Sequence, residues 1–214
     1  MPSRQVVHPL YDNFGEALDK KTARIHLHLS PDENIILFFG FIRKYKGLDL
    51  LFEAIKIVQD KEKQNASLPK IKLLVAGEFY EDRKQYDALI EQLNIQESLI
   101  LKTDFIADSE VKFYLSAADF VIQPYRNATQ SGVTPLAYHF EKPMLVTNVG
   151  SLPDLVPDKK VGLVAEPDAA SIADKIFELY QFGEAFFLPH LQQEKQKYSW
   201  HNLVQTINQL AQQS

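Results

Sequence analysis

Apolar residues along the middle of the chain fall into two alternating patterns. Short continuous runs at Ile35–Phe41, Ile71–Ala76, Leu99–Leu101, Phe120–Ile122, Met144–Thr147 and Val161–Val164 read as buried strands. Between them, apolar residues return every three or four positions, the period of one helix face. Leu48, Leu51, Phe52, Ile55 and Val58 mark the first such helix, and Tyr86, Leu89, Ile90 and Leu93 the second. Asp108 is placed to cap a third, carrying Val111, Leu115 and Ala118. A fourth runs from Val133 to Phe140, with Pro135 in its first turn, where proline is tolerated. From Asp168 the pattern is helical almost to the end, through Ile172, Ile176, Leu179 and Tyr180. A last segment, capped by Ser199, carries Trp200, Leu203, Ile207 and Leu210.

Strands that alternate with helices at this spacing predict a parallel sheet covered on both sides. The strands are apolar on both faces, as a doubly buried sheet requires. The expected fold is α/β: a doubly wound, mostly parallel, Rossmann-like sheet over residues 34–182. Residues 1–33 contain no strand–helix unit and read as a lead-in or interdomain segment. Residues 183–214 read as helices that pack on the domain or toward a neighbouring one.

Composition narrows the function. Ile35–Phe41, the longest apolar run, is far short of the roughly 20 residues of a membrane helix. Met1–Gln5 does not lead into an apolar stretch, so it is not a signal peptide. The chain has no cysteine, which removes disulfides, thiolate metal sites and cysteine nucleophiles. A cytoplasmic location is expected. The net charge of −5 argues against nucleic acid as a partner, so any anion site must be local.

In open α/β sheets, ligands bind beyond the carboxyl ends of the strands. Three loops there carry candidate chemistry. The first runs from Gly40 to Gly47 and sets Arg43, Lys44 and Lys46 between two glycines, just before a helix. A helix N-terminus favours anions, and Arg43 with Lys46 would add a planar fork and a point charge to form a diphosphate clamp. The alternative is a solvated basic turn. The second loop, Thr129-Gln130-Ser131-Gly132-Val133, is small and polar and also opens a helix. Its amides suit phosphate oxygens, with Gly132 permitting close approach; the alternative is a plain N-cap at Ser131. In the third, Phe105 and Ile106 offer an apolar edge to a flat base, or ordinary packing. His26 and His28 lack a third ligand nearby, so no metal site is expected. His139 reads as a packed helix residue. The G-x-S-x-G, H-E-x-x-H, G-x-G-x-x-G and G-x-x-x-x-G-K-[ST] patterns are absent.

Several segments, in this order, resemble the C-terminal domain of retaining, family 4 glycosyltransferases of the GT-B fold. They are Phe39-Gly40 through Lys46-Gly47, Leu73 to Glu78, Ala117-Ala118-Asp119 with Pro124, Lys142 to Gly150, Val161 to Val164, and Pro167-Asp168. The resemblance implies a nucleotide-diphosphate sugar as donor substrate, bound between two Rossmann-like domains, as in cell-surface polysaccharide assembly. It implies that Arg43 and Lys46 neutralise the diphosphate leaving group without a metal or cofactor, and that Gln130 to Val133 pass the sugar and phosphates. The family's acceptor-binding domain normally comes first and supplies any peripheral membrane contact. Nothing like it is present, so the chain reads as an isolated domain, inactive alone. The family's pair of glutamates, seven residues apart, has no counterpart: no Asp or Glu lies between Asp119 and Glu141. Phe41 stands where a basic residue is usual. A non-catalytic nucleotide- or partner-binding module of the same fold is the second expectation.

Overall fold

The computed structural model describes Leu10 and residues 13–129, 131–198, 204 and 207–209. Six strands form one sheet: β1 (Asn34–Phe39), β2 (Ile71–Ala76), β3 (Leu99–Lys102), β4 (Phe120–Gln123), β5 (Met144–Thr147) and β6 (Gly162–Ala165). Every pairing is parallel, in the order β3-β2-β1-β4-β5-β6. Leu37, Leu74 and Val121 are fully buried in its centre.

The helices are α1 (Lys20–His26), α2 (Leu48–Gln64), α3 (Lys84–Leu93), α4 (Asp108–Ala117), α5 (Val133–His139), α6 (Leu152–Leu155), α7 (Ala169–Phe182) and α8 (Glu184–Lys195). From β1 the chain steps one way across the sheet, and from β4 it steps the other way. Parallel crossovers are right-handed, so opposite steps place their helices on opposite faces. Accordingly α2 packs against α3 and α7, while α1 packs against α4 and α8 joins α5 to α7. This is the doubly wound α/β architecture predicted from the alternation.

Local differences from the expected boundaries have simple causes. β1 stops at Phe39 because Gly40 takes φ +90° and leaves the sheet. Asp108 is the first helical residue of α4 and not its cap; Ala107 holds the cap position with no side-chain bond. Its carboxylate still faces the positive end of the helix dipole. α6 has only four residues, too few to show a period. Within the lead-in, Asp19 caps α1 by accepting from Thr22 N at 3.0 Å. The expected segment over Ser199, Trp200, Leu203 and Leu210 lies outside the described residues. No helix among the described residues is long and apolar enough to cross a membrane.

Candidate functional site

β1 and β4 are neighbours from which the chain departs in opposite directions, the switch point beside which ligands bind in open α/β sheets. The first of these loops is pinned onto the second. Lys44–Lys46 make a single 3-10 turn ended by Gly47 at φ +69°. A Cβ on Gly47 would lie 2.0 Å from Pro124 O, so only glycine permits the approach. Arg126 N donates to Tyr45 O across the same junction at 2.7 Å.

This arrangement turns Lys46 inward. The residue is 8% exposed, and its Nζ lies 5.9 Å from the centroid of the Tyr125 ring. A Cβ on Gly40 would sit 3.2 Å from Lys46 Nζ and 3.8 Å from Val133 Cγ2. Three predicted residues from two loops therefore meet at one point. Among the described residues no carboxylate offsets the Lys46 charge; burial, then the like charge of Arg43, pulls its pKa down to about 8. Arg43 itself is exposed, its guanidinium carbon 5.1 Å from the centroid of the Tyr80 ring. Tyr80 in turn packs on Phe41 at 4.4 Å. Arg43 is thus held on the surface of the first loop by a cation–π contact.

The second loop divides its work. Ser131 is buried; its Oγ accepts from Val133 N at 3.2 Å and lies 3.1 Å from Tyr125 OH. The Val133 amide is thereby committed to Ser131, which shapes the turn one residue ahead of the cap position, Gly132. Gly132 is exposed, with ordinary right-handed dihedrals (φ −68°, ψ −15°), and a Cβ there would meet nothing within 4 Å. Thr129 is exposed and its carbonyl accepts from Ser151 Oγ. Gln130 lies outside the described residues.

The third loop meets the first at Gly40 and Phe41. A cleft of about 230 Å³ opens over the ends of β1, β2 and β3, lined in part by Gly40, Phe41, Gly77, Glu78, Phe105 and Ile106. Phe105 is 73% exposed, an accessible ring on the cleft wall. Glu78 was not singled out from sequence, although it follows the glycine that ends β2 just as Phe41 follows Gly40. His26 and His28 are exposed; His26 pairs with Glu110 and stacks on Phe113. His139 is half-buried and its Nε2 bonds Gly15 O at 2.7 Å. Among the described residues no group of three or more His, Cys, Asp or Glu is arranged to hold a metal ion.

The sequence model of the family described as glycosyl transferases group 1 matches residues 19–185. The chain belongs to this family. It is 31% identical over 192 residues to a D-inositol 3-phosphate glycosyltransferase of Mycobacterium sp. (strain KMS), covering 86% of this chain and 41% of that protein. It is 28% identical over 196 residues to an uncharacterised glycosyltransferase of Methanocaldococcus jannaschii, covering 89% of this chain and 48% of that protein. The chain thus spans about half the length, or less, of these curated relatives.

Solved structures share the glycosyltransferase fold. Sucrose-phosphate synthase from Thermosynechococcus elongatus superposes with a TM-score of 0.78 at 21% identity, over 98% of this chain and 52% of that one. The Anabaena protein HepE, solved with UDP-glucose, gives a TM-score of 0.75 at 17% identity, over 96% and 57%. A C-terminal domain of a group 1 family protein from Francisella tularensis gives 0.69 at 19% identity, over 87% and 94%.

Proposed function

We propose that this glycosyltransferase-family chain is the donor-binding unit of a retaining, metal-independent enzyme. It binds a nucleotide-diphosphate sugar and acts with an acceptor-binding domain, in the cytoplasm. Lys46 carries this reading: a buried cation without an acid partner among the described residues, beside Gly40, at the switch point of the sheet. Leaving a buried charge uncompensated costs stability unless a ligand supplies the counter-charge. A diphosphate does so, and the exposed Arg43 of the same loop adds a second cation. As the sugar–phosphate bond breaks, charge grows on the leaving diphosphate, and fixed cations there stabilise the transition state more than the ground state.

Support for the donor class comes from HepE, a structural neighbour solved with UDP-glucose. The second reading, a binding module without catalysis, is favoured by one observation: no Asp or Glu occurs between Asp119 and Glu141.

The test is calorimetry with UDP, ADP and GDP on wild type, Arg43→Ala and Lys46→Ala. Each substitution is expected to weaken the nucleotide that binds by about 1.5–3 kcal/mol, the range for hydrogen bonds to charged groups. Wild-type affinity in both folded variants would refute the assignment. Sugar transfer by a form that includes an acceptor-binding domain, lost in Lys46→Ala, would select the catalytic reading over the module.

A further inference from the structure

The sheet order lays three chemistries side by side. Neighbouring strands lie about 4.8 Å apart, so the ends of β1 and β3 are separated by roughly 10 Å, with β2 between them. Over β1 lies the cationic end, the proposed anion end, where Gly40 meets Lys46, which has no acid partner among the described residues. Over β3 lies the apolar end, Phe105 and Ile106. The end of β2 supplies Gly77 and Glu78 to the middle of the same cleft.

Glu78 is fixed in that middle position. A Cβ on Gly77 would lie 2.5 Å from Gly40 O, so the ends of β1 and β2 are in direct backbone contact. The Glu78 carbonyl accepts from Ile42 N at 2.7 Å, tying the residue to the first loop. The residue is half-buried in the cleft wall.

We infer that Glu78 accepts hydrogen bonds from the ribose hydroxyls of the bound nucleotide; the loop after β4 offers no carboxylate for this, since residues 120–140 contain no Asp or Glu. The inference rests on the donor-site reading above. In a nucleoside diphosphate the ribose joins the diphosphate to the base. With the diphosphate over β1 and the base over β3, the sugar lies over β2. Ribose hydroxyls are donors, and an ionised carboxylate offers only acceptors, with charge-assisted strength. Asp108, the other carboxylate on the cleft wall, opens α4 two residues beyond Ile106 and so lies on the base side.

The experiment measures UDP, ADP and GDP against their 2′,3′-dideoxy counterparts, with inorganic pyrophosphate as a control, on wild type, Glu78→Gln and Glu78→Ala. Wild type is expected to prefer the ribonucleotide at least tenfold for whichever base binds. In Glu78→Ala the ribonucleotide weakens at least tenfold and the preference disappears, with Glu78→Gln between. Pyrophosphate binds both variants at wild-type strength or better, since only a negative charge has been removed; this shows the fold and the anion end to be intact. A Glu78→Ala protein that keeps the wild-type ribose preference overturns the inference and leaves the donor site standing. If neither pyrophosphate nor any nucleotide binds wild type, the donor-site reading fails, and the role of Glu78 fails with it.

Discussion

At the amino-terminal edge of the sheet, Arg24 donates from Nε to Ala117 O at 2.9 Å and from NH2 to Asp119 Oδ1 at 3.0 Å, while at the opposite edge Lys46 is buried beside Gly40. Lys20 and Lys142 are paired at the same edge. Lys20 reaches Asp119 at 2.5 Å and also bonds Glu184; Lys142 donates to Ala118 O at 2.9 Å and lies 3.6 Å from Glu184. The second Asp119 oxygen accepts from Ile35 N at 2.6 Å and from Tyr180 OH at 3.2 Å. Burial alone would lower the Lys20 pKa, but its bonds to Asp119 and Glu184 outweigh burial and leave it raised. Lys46 has burial and another cation beside it, and among the described residues no carboxylate to offset either; the centroid of the Tyr125 ring lies 5.9 Å from its Nζ. Buried charges are costly unless paired. The paired set at one edge is architecture, holding α1, β1, β4 and α7 together; at the other edge Lys46 has no acid partner among the described residues, which fits the anion site proposed for it.

The comparison breaks most visibly at Asp119. Asp119→Ala leaves Arg24 and Lys20 without that carboxylate and the Ile35 N–H without its acceptor. Removing one partner of a buried pair costs about 3–5 kcal/mol, and urea unfolding is expected to show a loss of that order. Nucleotide affinity, measured where the variant is folded, stays unchanged, because the two edges have separate tasks. A loss under about 1 kcal/mol would mean the network is not structural.

A smaller effect of opposite sign is expected at Lys46. Lys46→Met removes the uncompensated charge and is expected to stabilise the protein by about 1–3 kcal/mol at pH 7, at most the cost of depressing a pKa from 10.5 to about 8. The folded value lies below the unfolded one, so between about pH 8 and 10.5 the unfolded chain binds more protons than the fold. Wild-type stability therefore rises relative to Lys46→Met across that window, and the gap closes from below pH 8 to above 10.5. Tyrosines such as Tyr86, raised to about 12 by burial, titrate alike in both proteins and cancel. A Lys46→Met variant less stable than wild type at pH 7 would show the lysine to be part of the architecture after all.

The two edges were unequally legible in the sequence. Lys46, Gly40 and Val133 could be brought together because strand–helix alternation fixes a parallel sheet, and in such sheets the loops beyond the strand ends carry ligands. The Asp119 network could not be read, since Lys20 and Arg24 lie more than 90 residues from Asp119, with no periodicity linking them. Glu78 carries no such signal, because a lone glutamate after a strand has no distinctive spacing, and only the folded cleft shows that its wall includes the end of β2. Gly132 was expected to serve close approach, and its neighbour Ser131 was read both as phosphate ligand and as cap. The hydrogen bond from Val133 N to Ser131 Oγ gives the serine a turn-shaping part, a detail of rotamer and loop path that spacing does not carry.

The smallest change in stability, and the finest division between architecture and site, is expected at Gly132. Gly47, Gly77 and Gly150 are required by packing: a Cβ at each would lie within 2.5 Å of a backbone oxygen, and all three have positive φ. Gly132 has neither excuse, with φ −68° and open space where a Cβ would stand. A Gly132→Val change should therefore move stability by no more than about 1 kcal/mol, since a side chain at the cap position loses slightly while the unfolded chain loses freedom. If the glycine is there to let phosphate oxygens pass close to the backbone, the two added methyl groups occupy that space, and UDP, ADP or GDP should bind at least tenfold more weakly. Melting temperature and nucleotide affinity, measured on one preparation, separate the two effects. A folded Gly132→Val protein with wild-type affinity would place the diphosphate wholly beside Gly40 and Lys46. The loop after β4 would then belong with the architecture of the opposite edge.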